Sequence, residues 1–318
     1  MLTLGEVHTG LLQHSSSLPP DRAAHAVSLL LGERVRQSER PIAYTVSPEV
    51  LTGVDCALAG LSGARTRVIG TTMSRACITG GHILQGSTYV RVGRSDANRR
   101  LPWSHYLSRP GSVEAIGRAD PDDLVRGFAI PEPPIGTLDL GAISGRVMDS
   151  VQVRAGPDRA PPFRMWRTRL RWAAMPIAEH SESAEPRVRF TVEEGNVRTL
   201  TVIANVNSPT HVVELCEDLA LHDWLLTSLV LILERSRIGA LPRSEVVHRL
   251  APAVDHLLHL WMPAVRVNQS LLGVWESIER WPGFTRQWRA SVDRVRDQVA
   301  VSTLALYNAI TELSTGSL

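Results

Sequence analysis

The chain contains no lysine: all 34 of its basic side chains are arginine. This excludes every chemistry that needs a side-chain primary amine. Among the casualties are a pyridoxal-phosphate Schiff base, the lysine of a G-x-x-x-x-G-K-[ST] phosphate loop and the strand lysine of a protein kinase. Cysteine is scarce too. Cys56, Cys77 and Cys216 are three in number and scattered, with no C-x-x-C spacing. An odd, dispersed set argues against a disulfide framework or a cysteine zinc site, and reads as reduced, mostly buried thiols. The net charge is only +2, so no global field draws in nucleic acid or anionic lipid, and any such attraction has to be local. Long apolar runs are missing. The most apolar stretch, Leu219–Leu233, is short for a bilayer and interrupted by His222 and Asp223, so it reads as a buried helix. The first residues, Met1 to Val7, lack the basic and apolar regions of a signal peptide, and the expected compartment is the cytoplasm. No G-x-G-x-x-G, H-E-x-x-H or G-x-S-x-G appears, and nothing calls for a cofactor or a metal. These absences weaken the case for an enzyme without ending it, because acid–base sites built from scattered residues leave no signature. Codon choice in a GC-rich genome accounts for arginine in place of lysine as a generic surface cation; the two differ at bidentate or stacked sites.

What is present predicts an α+β protein, β-rich in front and helical behind. A length of 318 residues suggests about two domains. We place a β-rich domain with short helices at 1–158, and at 159–318 an antiparallel sheet packed on four helices. In front, Met1–His14 and Pro41–Val46 read as strands and Asp21–Leu31 as a short helix closed by Gly32. Arg65–Ile69 and Ser74–Thr79 turn at Gly80-Gly81 and return through His82–Val92 as a hairpin. Asp120-Pro121-Asp122-Asp123 starts a short helix, and Arg146–Val153 reads as one more strand.

Behind, Arg164–Trp172 alternates strictly, as does Arg187–Val192, and Val197–Ile203 returns after a turn; together they predict a three-stranded antiparallel sheet. Helices are predicted at Ser208–Ser236, Ser244–Met262 (with Pro252 inside it), Asn268–Arg280 and Phe284–Ser314. In the last, Trp288, Val292, Val295, Val299, Ser302, Leu306, Ile310 and Leu313 recur at steps of four and three. This heptad seam packs either inside the protein's own bundle or against another subunit.

Three groups of side chains are candidates for chemistry. Arg167, Arg169 and Arg171, with Arg187 and Arg189 on a neighbouring strand, form a face that suits phosphates or an acidic partner, or is simply solvated. His222 with Asp223 is a His–carboxylate pair in the most apolar helix, either catalytic or fixing helix packing. Asp255 and His259, four apart, share a helix with His248 and His256. Too few of these converge for a metal, and solvated or capping histidines are the plainer reading.

Three stretches carry a resemblance: Leu2-Thr3-Leu4-Gly5-Glu6-Val7 through Leu18-Pro19-Pro20, Arg40-Pro41-Ile42-Ala43-Tyr44 through Val54-Asp55-Cys56-Ala57-Leu58, and Leu101-Pro102-Trp103-Ser104-His105-Tyr106-Leu107. Together they resemble an uncharacterised actinobacterial family known only by a locus-tag name. Its members are encoded beside a variant P-loop protein and a methyltransferase-like protein. The resemblance implies one part of a multi-component system and carries no catalytic residue over. The expectation is a non-catalytic interaction or scaffold subunit that meets another protein, such as that P-loop protein, or itself. The alternatives are an enzyme with an unsigned acid–base site or a nucleotide- or nucleic-acid-binding regulator.

Overall fold

The computed structural model describes residues 2–97, 99–117, 120–156, 158, 161–177, 186–204 and 208–315, without the side chains of 195, 306 and 308–315. The chain forms two compact units, Met1–Leu221 with Met262–Pro282, and His222–Trp261 with Gly283–Leu318.

The first unit is built on one mixed sheet. Its strands are β1 (Leu2–Leu11), β2 (Arg36–Ser38), β3 (Tyr44–Val46), β4 (Val50–Ala59), β5 (Arg65–Thr79), β6 (Ile83–Arg94), β7 (Ser112–Ile116), β8 (Thr168–Met175), β9 (Arg187–Val192) and β10 (Val197–Ile203). Their order is β2-β3-β5-β7-β6-β1-β8-β10-β9, with β4 paired to β5 off this path. The predicted hairpin forms around Gly80 and Gly81, both at positive φ. Its two strands then diverge. Beyond Met73–Tyr89 their pairing stops, and β7 enters between them, antiparallel to β5 and parallel to β6.

Two expectations need correction. The rear strands do not make a separate three-stranded antiparallel sheet. β8 joins β1 in the same ten-stranded sheet, and its other neighbour is β10, which runs parallel to it, with β9 outermost. Alternation along each strand revealed its faces, but alternation carries no information about which strand is the neighbour. The second correction is Arg146–Val153, which lies inside helix α4 (Leu140–Ala155). Asp139 caps it by accepting the Ala142 N–H, and Gly156, at φ 69, ends it in the left-handed conformation that a Cβ disfavours. Leu140, Ile143, Val147, Met148, Val151 and Ala155 are buried, at helical spacing.

The remaining helices of this unit are α1 (Pro20–Val27), α2 (Trp103–Leu107), α3 (Pro121–Phe128), the first part of α5 (Pro209–Ser236) and α7 (Leu272–Arg280). On one face of the sheet, Leu84, Ala76 and Ile78 pack with residues of α1 and α4, and Leu4, Val90 and Val68 pack with Leu124, Phe128, Leu140 and Ile143. The opposite face carries Trp172, whose ring lies flat against Gly5 on the neighbouring strand; a Cβ at Gly5 would sit 2.2 Å from Trp172 Cζ2. The start of α5 covers this second face, where Gln85 of β6 donates to the Glu217 carbonyl.

The second unit contains the end of α5, α6 (Arg243–His256, with Pro252 inside) and α8 (Phe284–Thr315). The predicted helix at Ser244–Met262 stops at His256, and a 3-10 turn follows at Leu258–Leu260. Trp261 stacks on Trp288 with ring centres 4.2 Å apart, and the His222 ring meets Trp261 edge-on at 4.9 Å. Among the described residues no helix is long and apolar enough to cross a membrane.

Candidate functional site

The predicted arginine face divides into two parts. Arg169, Arg171, Arg187 and Arg189 do share one side of the sheet by register. Yet Arg171 is buried, and Arg169 is only part-exposed. Both turn to Glu6, a fully buried carboxylate on β1. Arg169 donates to its Oε1 at 2.9 Å, Arg171 approaches Oε2 at 3.5 Å, and His8 lies 3.1 Å from Oε1. Burial opposes the ionised form of Glu6, but the His8 contact and the two guanidinium charges outweigh it, and the carboxyl titrates below its ordinary range. Arg171 also donates to the Ile130 and Pro131 carbonyls and lies over the Phe128 ring. It is a structural strut and cannot meet an outside ligand. Arg167 lies before β8 and pairs on the surface with Asp149. Arg187 and Arg189 stay exposed on the edge strand β9, and Trp166 is 61% exposed because β8 begins two residues after it.

His222 and Asp223 are buried, so neither offers a surface to substrate in this arrangement. Asp255 and His259 are both exposed. The helix ends between them, so the one-face geometry of an i,i+4 pair is lost. Val254 of the same helix is also exposed. Among the described residues no three His, Cys, Asp or Glu side chains are placed to hold a metal. Along the heptad seam Trp288 and Val295 are buried and Val292 and Val299 are half-buried. The seam thus faces the protein's own α6 side over its first half. The side chains of Leu306 and Ile310 lie outside the described residues.

Sequence reasoning missed two charged clusters. The first is buried: Glu217 of α5 takes a two-pronged contact from Arg75 of β5 (Nε 2.7 Å, Nη2 2.9 Å) and a third from Arg266 Nη2 at 2.6 Å. Burial alone would raise the Glu217 pKa, but Arg75 and Arg266 reverse this and hold it down to about 2. Nothing local signals this cluster, since its members are 142 and 49 residues apart.

The second cluster surrounds the outer strand β4. Asp55 of β4 receives Arg67 through both Nε and Nη2 at 3.1 Å, and Arg100 Nε lies 3.5 Å from it. The Arg100 guanidinium sits over the Trp103 ring at 5.5 Å, and Trp103 lies beside Gly53. Nearby, Glu114 of β7 is met by His105 Nε2 at 2.7 Å, Arg109 Nη1 at 2.8 Å and Ser95 Oγ at 3.0 Å. Burial raises the Glu114 pKa, but the His105 and Ser95 contacts and the Arg109 charge outweigh it, and the carboxyl is depressed. The group contains serine, histidine and acid in the wrong order for nucleophilic catalysis. Ser95 donates to the carboxylate, not to the imidazole, so His105 cannot take its proton.

β4 itself is open on one side. Its ten residues pair with β5, and on the other edge only Ala57 is engaged among the described residues, by a bridge to Thr137 and the Leu138 N–H. Leu51, Gly53 and Asp55 point outward, with Leu51 45% exposed. Trp103 (37%) and Leu107 (58%) of α2 add to the exposed apolar surface. Arg67, Arg100 and Arg109 lie along this surface, paired with Asp55 and Glu114. Compared with family models, curated proteins and solved structures, the chain matches none.

Proposed function

We propose that the protein is a non-catalytic interaction subunit, and that it takes up an extended, acidic segment of a partner protein along the free edge of β4. The observation that carries this reading is the unpaired outer edge of Val50–Asp55, in a strand of ten residues with no proline and one charge. Such an edge is a template for strand addition, and natural proteins usually blunt it with charge, proline or a cover. Here the flanking surface is equipped for a guest. Leu51 and Trp103 suit alternate apolar side chains of an added strand, and the surrounding arginines suit acidic ones. The resemblance to a family encoded beside a variant P-loop protein supports a role within an assembly, with that protein as one source of the segment.

A peptide-display selection against the full chain tests it. Enriched peptides are expected to alternate apolar and acidic residues, to protect the amides of Val50–Asp55 from hydrogen exchange, and to lose at least tenfold in affinity to Leu51→Asp and Trp103→Ala. Selected peptides that protect another region, or that bind both variants as tightly, overturn the reading.

A further inference from the structure

A second site lies at one end of the sheet, beside the Ser95–Glu114 contact. There the C-terminal ends of β6 and β8, the start of β1, β7 and the start of α3 surround a pocket of about 960 Å³. Its lining is Leu2, Val92, Gly93, Ala115, Pro121, Leu124, Met175 and Pro176, plus two charged residues, Arg94 and Asp120. Leu2, Val92, Ala115 and Leu124 belong to the hydrophobic core, and Met175 packs against it. The pocket is therefore the open end of that core, walled by strand backbone and large enough for a small organic ligand.

We propose that this pocket binds an aliphatic carboxylate, with the chain inserted among Leu2, Val92, Leu124 and Met175 and the carboxylate on Arg94. The two charged residues decide the sign of the ligand. Arg94 is exposed at the last position of β6, and its guanidinium has no ion pair or side-chain hydrogen bond among the described residues. Arg67, Arg100 and Arg109 differ, each having an ion-pair partner in Asp55 or Glu114. Asp120, by contrast, is already committed, since its Oδ1 accepts the Asp122 N–H and caps α3. A free guanidinium offers five donors in a fork that fits a carboxylate in two contacts. The apolar wall supplies the rest of the affinity. Each buried methylene contributes about 0.8 kcal/mol, equivalent to about a fourfold gain in affinity.

Calorimetry on the full chain, below micelle-forming concentrations, tests this with four probes: octanoate, decanoate, methyl decanoate and decyltrimethylammonium. The acids are expected to bind with a stoichiometry of one, decanoate at least tenfold tighter than octanoate, and the ester and the cation at least tenfold weaker than decanoate. Arg94→Gln, an exposed change, is expected to weaken decanoate about tenfold while leaving the ester unaffected. Asp120→Asn keeps the helix cap and removes a repelling charge, and is expected to tighten decanoate a few-fold. Met175→Trp fills the pocket and is expected to remove acid binding while the circular dichroism stays native. Non-saturating uptake, equal binding of acid and cation, or an unchanged decanoate affinity in Arg94→Gln would each overturn the proposal.

Discussion

Replacing Glu217 by glutamine is the sharpest test of how the sheet is joined to α5. In the folded protein the carboxylate is buried between Arg75 and Arg266 and titrates at about 2, against an ordinary value of 4.5. The folded-state pKa is depressed. The pair therefore stabilises the native state fully above pH 4.5, and loses that contribution as the pH falls toward 2. A difference of that size corresponds to about 3 kcal/mol, of which about 2 kcal/mol is gone by about pH 3. Glutamine keeps the shape, abolishes the titration and removes the central counter-charge from two buried guanidiniums, leaving Arg75 with Glu49 at 3.9 Å. Removing one partner of a buried pair costs about 3–5 kcal/mol. Urea unfolding of both proteins, followed by tryptophan fluorescence from pH 7 down to pH 3, should show the variant less stable by at least about 3 kcal/mol at neutral pH, with the gap closing by about 2 kcal/mol at the acid end. Other depressed carboxyls, Glu6 and Glu114 among them, titrate in both proteins and cancel in the difference. A gap that does not change with pH would refute the assignment of this ion pair as a charged, stability-bearing contact.

Gly5→Ala places a methyl group where the Trp172 ring lies, and should destabilise by about 1–3 kcal/mol, read as a lower urea midpoint at unchanged slope. Gly156→Ala meets no neighbouring atom within 4 Å but must hold φ near 69°, so it isolates backbone strain at the end of α4 and should cost about 1 kcal/mol. Asp139→Ala, at the other end of the same helix, should cost about 1 kcal/mol through the lost acceptor for the Ala142 N–H, with Asp139→Asn close to wild type. Equal midpoints for Asp139→Ala and Asp139→Asn would contradict the cap.

The rear half of the chain is legible because its periods are long and clean. β9 and β10 are predicted to the residue, and α5 and α8 to within a residue or two at either end. The front half is legible mainly at its punctuation: the Gly80-Gly81 turn and the Asp120 cap of α3 stand where their chemistry puts them. Taken alone, Arg146–Val153 reads as a strand, although it lies inside α4. Only the wider window from Asp139 to Gly156 brings out its cap, its stop and its helical stripe. Strand order is absent from any local window, so nothing local distinguishes the parallel pairing of β8 and β10 from an antiparallel one. The same limit hid the chemistry. The arginines of β8 looked like a surface because their counter-charge, Glu6, lies 163 residues earlier, and the cluster at Glu217 joins three distant segments. The open edge of β4 leaves no mark in its own residues, since an edge is defined by the neighbour a strand lacks.

The placement of β1 has a consequence for how the protein is made. This strand, made before either of its neighbours, lies inside the sheet between β6 and β8. Its first partner is complete at Arg94 and its second only at Met175. At about 5–20 residues per second, roughly 80 further residues take about 4–16 s to synthesise. Throughout that interval Thr3–Thr9, bound on one side, present a bare hydrogen-bonding edge to the surroundings. Nascent chains of this protein are therefore most vulnerable to mispairing before β8 emerges. A fragment ending in the loop after α4 would keep that vulnerability permanently and should aggregate where the full chain does not.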